Sequence, residues 1–75
     1  MKNQIGVRVS AECRRQVIGS FSRGELISKV TGKLCSYPAA EVAGMVNEWI
    51  AEGIEQEWLE AERDEHGVIV FVPTR

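Results

Sequence analysis

Val42, Met45, Val46, Trp49 and Ile50 fall at i, i+3, i+4, i+7 and i+8, and a few residues later the pattern changes to strict alternation. The first spacing is the apolar face of an amphipathic helix, and Gly53 is placed to end it. Beyond it, Glu55, Glu57, Leu59, Ala61 and Arg63 alternate with Gln56, Trp58, Glu60 and Glu62. That period of two predicts a strand. The same glutamates could also prolong the helix, but a hairpin fits better with the apolar run beyond them. Asp64-Glu65-His66-Gly67 is a turn sequence in which glycine can take positive φ. Val68-Ile69-Val70-Phe71-Val72 is then the returning β-branched strand, and Pro73 closes it.

Upstream, Ile5, Val7 and Val9 alternate with Gly6 and Arg8, predicting a short N-terminal strand with one buried face. Ser10 is then expected to cap a first helix over residues 10–21, with Glu12 in its first turn. Cys13, Val17 and Phe21 share one side of that helix, and Arg14 and Arg15 the other. Gly19 weakens it. Ser22-Arg23-Gly24-Glu25 has the spacing of a capping box. Leu26, Ile27, Val30 and Leu34 continue as a helical stripe opposite Lys29 and Lys33, with Thr31 and Gly32 keeping the helix short. Pro38 is tolerated in a helix's first turn, so the third helix is expected to start here, capped by Ser36 or Tyr37.

With 75 residues the chain makes one domain with a thin core. Cys13 and Cys35 are not spaced as metal ligands and His66 is the single histidine, so neither a zinc site nor a cofactor is expected. The two cysteines read as reduced, buried thiols of a cytoplasmic protein, with a Cys13–Cys35 disulfide as the minor alternative. No run approaches the roughly 20 apolar residues that span a bilayer, so no membrane is expected. The net charge of −2 conceals a division. Residues 1–40 carry seven basic side chains against Glu12 and Glu25, whereas residues 41–65 carry nine acidic ones against Arg63. Such asymmetry bears on partners more than the total does.

The order of short helix, short helix, turn, amphipathic helix and hairpin resembles the winged helix-turn-helix family. The resemblance runs from Ser22 to Val72 and rests on SRGELISKV, SYPAAEVAGMVNEWIAEGI and EQEWLEAERDEHGVIVFV. It implies an α+β fold of three short helices followed by a C-terminal β-hairpin wing, and a small transcriptional regulator binding double-stranded DNA. In that family the third helix enters the major groove and the wing touches the backbone. The contacts expected here are Arg14, Arg15, Arg23, Lys29 and Lys33 for phosphates, Asn47 for an adenine edge, and Arg63 from the wing.

A second reading comes from the residues themselves. The exposed side of the third helix should show Ala39, Ala40, Glu41, Ala43, Gly44, Asn47, Glu48 and Ala51, with no lysine or arginine. Ala40, Gly44, Asn47 and Ala51 form a smooth stripe against which another helix could pack, with Ala43 beside it. An acidic third helix and wing of this kind suit a protein–protein interaction module or an inhibitor, facing a protein partner, a homodimer or a partner that normally binds DNA, and Trp58 could anchor such an interface or cover the core edge. No enzyme is expected. One histidine at a wing tip does not make a Cys–His pair, and glutamates on a solvated strand form no pocket.

Overall fold

The computed structural model describes residues 3–74. It contains α1 (Asn3–Gln16), α2 (Arg23–Lys33), α3 (Ala39–Glu55), β1 (Leu59–Arg63) and β2 (Ile69–Pro73). Three helices followed by an antiparallel hairpin make an α+β domain compatible with a winged-helix-like arrangement. No helix among the described residues is long and apolar enough to cross a membrane.

The expected N-terminal strand is instead the first half of α1, and Ser10 lies inside that helix rather than at its cap. The two periods overlap at this point, because Ile5 and Val9 are two alternations apart but also one helical turn apart. What decides is Cys13 one turn further on. Val9 and Cys13 are fully buried while Val7 is 67% exposed, which only the helical reading allows. Phe21 accordingly does not belong to the first helix, which ends at Gln16.

α2 starts as expected. Ser22 caps it, its Oγ accepting the Glu25 backbone N–H at 3.3 Å. α3 differs at both ends. Pro38 occupies its cap position with no side-chain hydrogen bond, so neither Ser36 nor Tyr37 caps it. The helix also runs through Gly53 to Glu55, which delays the first strand to Leu59. The chain leaves α3 through a Schellman motif. Trp58 N–H donates to the Gly53 carbonyl (2.9 Å) and Glu57 N–H to that of Ile54 (3.2 Å). The left-handed residue this motif needs is Glu57, at φ 64°.

Gly53 therefore serves packing rather than termination. A Cβ there would lie 2.6 Å from Leu59 Cδ1 and 3.0 Å from Trp58 Cζ3. Leu59 is itself buried, so α3 and β1 approach this closely only because position 53 has no side chain.

In the hairpin, Leu59 pairs with Pro73, Ala61 with Phe71 and Arg63 with Ile69. Its tip is a tight turn closed by Gly67 N–H to Asp64 O (3.0 Å), with Gly67 at φ 79°. Asp64 Oδ1 also accepts the backbone N–H groups of His66 and Val68, each at 2.9 Å. Phe21, between α1 and α2, forms an antiparallel bridge with Phe71, its N–H donating to Phe71 O (3.0 Å) and its carbonyl accepting from Phe71 N (2.7 Å). Both polar backbone groups of Phe71 are thereby turned away from β1, and Phe21 acts as a one-residue third strand.

The core gathers Val9 and Cys13 from α1, Leu26 and Val30 from α2, and Val42, Val46, Trp49 and Ile50 from α3. Leu59 and Phe71 of the hairpin and the linking Phe21 close it.

Two substitutions test this account by thermal or urea denaturation. Gly53→Ala should cost about 1–3 kcal/mol, because the added methyl must displace buried Leu59. Glu57→Gly should gain up to about 1 kcal/mol, since it relieves the left-handed backbone cost but frees the unfolded chain.

Candidate functional site

The surface made by α3 and the wing is where the sequence placed most of its candidates. Ala40, Gly44, Asn47 and Ala51 are all exposed on α3, with Ala43 half-buried. A Cβ at Gly44 would meet nothing within 4 Å, so this stripe is open to solvent. Glu41, Glu48, Glu52 and Glu55 are exposed on the same helix, which carries no lysine or arginine. The wing adds exposed Glu60, Glu62, Asp64 and Glu65.

The basic candidates do not converge on that surface as a free set. Arg23, at the start of α2, donates from Nη1 to Asn47 Oδ1 and holds its guanidinium carbon 5.3 Å from the centre of the Phe71 ring. It thus clamps α2 to α3 and to β2 at once. Reading an adenine edge needs both ends of the asparagine amide, and here the Asn47 oxygen already accepts from Arg23. In the wing, Arg63 Nη1 donates to the Gly67 carbonyl at 3.0 Å, folding the guanidinium back on its own turn. His66, exposed at that turn, sits 3.7 Å from Glu65.

Arg14 belongs to a different feature. It lines a cleft of about 660 Å³ between α1 and α3, together with Gly6, Val7, Ser10, Ala11, Met45, Glu48, Trp49 and Glu52. An adjoining hollow of about 340 Å³ shares Arg14, Trp49 and Glu52 and extends to Val17, Trp58, Leu59 and Pro73. Arg15, Lys29 and Lys33 are exposed on α1 and α2, and among the described residues none of them enters an ion pair.

Trp58 is half-buried and packs edge-on against Trp49, the ring centres 4.7 Å apart at 64°. It covers the core edge. The α1–α3 cleft is hidden from a sequence reading that makes residues 5–9 a strand. Gly6, Ser10 and Arg14, one helical turn apart, are the signal that points to it.

Cys13 and Cys35 are both free thiols, so there is no disulfide between them. Only Cys13 is buried; Cys35 is exposed, contrary to the expectation that both would be interior. Burial first, and the nearby charge of Glu12 second, push the Cys13 thiol from an ordinary 9.0 up to about 12. Glu12, itself buried, accepts from Gln16 Nε2 at 2.7 Å. Such a buried, protonated thiol is a packing group and a poor nucleophile. Among the described residues no cluster of three or more His, Cys, Asp or Glu side chains is arranged to hold a metal ion. No family model, curated protein or solved structure matches this chain.

The cysteines give a test with a definite sign. The native state holds Cys13 as the neutral thiol, so its contribution to stability is whole below pH 9 and is lost as pH rises towards 12. Unfolding free energy measured across that window should fall less steeply in Cys13→Ala than in the parent. A thiol reagent should modify Cys35 alone in the native protein and both cysteines once it unfolds.

Proposed function

We propose that this chain is a winged-helix-type binding module, not an enzyme, that engages a protein partner through the exposed face of α3 and the adjoining wing. One observation carries the reading. Over its 17 residues α3 presents four exposed glutamates and no cation to solvent, and the wing continues the same sign. A duplex is bound largely by neutralising phosphates, and this surface would repel them. Of the cations beside it, Arg23 and Arg63 are held by Asn47 and by Gly67, and Arg14 lines a cleft with Glu48 and Glu52. The smooth stripe of Ala40, Gly44 and Ala51 leaves room for a partner's side chains, with the glutamates beside it selecting a basic surface.

Arg15, Lys29 and Lys33 favour a second reading, that of a DNA-binding regulator. They are exposed on α1 and α2 and enter no ion pair among the described residues, so phosphate contact would come through those helices and not through α3.

Amide shift mapping against a mixed-sequence duplex, at low and near-physiological salt, separates the two. The protein-binding reading expects no shifts on α3 or the wing at either salt. Shifts confined to residues 15–33 that collapse with salt would favour the DNA reading. Replacing Glu41, Glu48 and Glu55 together by lysine should create duplex affinity where there was none, with log K falling by about 0.9 per phosphate contact for each unit of log salt. If the triple variant stays inert towards DNA, the acidic face is not what keeps α3 off a duplex.

A further inference from the structure

The outer edge of β1 is open. Phe71 turns both of its polar backbone groups to Phe21, so the Ala61–Phe71 pair exchanges no hydrogen bonds. Bonded and non-bonded pairs alternate along an antiparallel ladder, and Leu59–Pro73 and Arg63–Ile69 are therefore of the same kind. Trp58 and Asp64, which bond across the hairpin to Thr74 and Val68, fix the same phase at both ends. The N–H and C=O groups of Leu59, Ala61 and Arg63 thus point away from β2, and among the described residues they meet no partner. The outer edge of β2 is covered at Phe71 by Phe21, so β1 is the strand that can receive another.

Beside that edge runs a hollow of about 590 Å³ lined by Ile54, Glu57, Leu59, Glu60, Ala61 and Thr74. Its walls carry glutamate but no lysine or arginine. The faces of β1 differ in chemistry. Ala61 and Arg63 share the face of buried Leu59, near Ile54, which is 42% exposed. Glu60 and Glu62 stand exposed on the other face. Arg63, the cation of this strand, is folded back on the Gly67 carbonyl and leaves those glutamates uncovered.

We propose, resting on the protein-binding reading above, that the wing takes its partner as an extended segment added antiparallel to β1, with apolar and basic residues alternating. Such strand addition draws affinity from main-chain hydrogen bonds and specificity from alternate side chains. Residues directly opposed in an antiparallel pair lie on one face. Apolar residues opposite Leu59, Ala61 and Arg63 therefore bond the free backbone groups and reach towards Ile54. Basic residues fall opposite Glu60 and Glu62. A second copy does not fit the same edge. Pairing β1 with β1 about Ala61 sets Glu60 of one copy against Glu62 of the other, and like charges so placed are destabilising. Charge on an edge strand is a common guard against self-pairing, and here the same charge selects a basic strand.

Hydrogen exchange and amide shifts of the full chain, with a short capped peptide alternating lysine and valine as probe, test this. The Leu59, Ala61 and Arg63 amides, unpaired in the free protein, should gain at least about tenfold protection. Those of Glu60 and Glu62, already bonded to β2, should change little. The same peptide N-methylated at its valines keeps its charge but loses its donors, and should not bind. Ala61→Pro is tolerated on an edge strand because the N–H it removes faces outward, and it should weaken binding at least about tenfold. Equal binding of the N-methylated peptide overturns the pairing, because charge alone would then account for it. Shifts on α3 with no protection along β1 also overturn it, and leave the acidic-face reading standing. Protection along β1 with no shift on α3 upholds the pairing and removes α3 from the interface.

Discussion

The contact on which the rest of the molecule depends is the pairing of Phe21 with Phe71. A two-stranded hairpin is marginal on its own, and β1 offers the core little beyond Leu59. Phe71 supplies what is missing in three ways. Its backbone exchanges two hydrogen bonds with Phe21, and its ring lies 5.6 Å from that of Phe21. Arg23 stands over its face. Phe21 in turn lies 6.3 Å from Trp49, which carries the contact on to Trp58. Aromatic pairs of this kind add about 0.5–1.5 kcal/mol each beyond the area they bury. The chain that links α1 to α2 thus adds a second tie between the wing and α3, beside the packing of Leu59 and Trp58 on Gly53.

Where local chemistry decided the outcome, it could be read from the chain. Ser22 caps α2 as its spacing implied, Gly67 takes the left-handed turn position, and the stripe from Val42 to Ile50 is the buried face of α3. The errors fall where two periods coincide or where a distant contact overrides a local preference. Ile5 and Val9 fit a strand and a helix equally, and only the burial of Cys13 separates the readings. Gly53 looked like a helix stop, but Leu59 and Trp58 press on it, and the left-handed residue that ends α3 is Glu57. No propensity would have put a glutamate there. Phe21 had the spacing of a helical residue, and its strand bridge depends on a partner fifty positions away.

The candidate site shows the same division. Exposure of Ala40, Gly44, Asn47 and Ala51 followed from helical geometry and was legible. The fate of the cations was not, because composition counts charges without saying what they touch. Arg14, Arg23 and Arg63 look equivalent in the sequence. In the fold, one lines a cleft beside two glutamates, one bridges α2 to α3 and β2, and one closes a turn. Only Arg15, Lys29 and Lys33 of the cationic candidates remain as a chain's charge count would suggest.

α3 is therefore the element on which the proposed binding role rests. Its α2-facing flank holds Asn47 against Arg23, its α1-facing flank carries Glu48 and Glu52 beside Arg14, and its buried face is locked to the wing at Gly53. A 17-residue helix packed on three sides has little room to shift against its neighbours. The geometry favours binding without such a shift. The open flank is smooth and already ordered, and Arg23 fixes Asn47 before any partner arrives, so little conformational freedom remains to be lost there. In the role proposed for it, such a surface gains its selectivity from charge and fit, and its negative sign opposes phosphates.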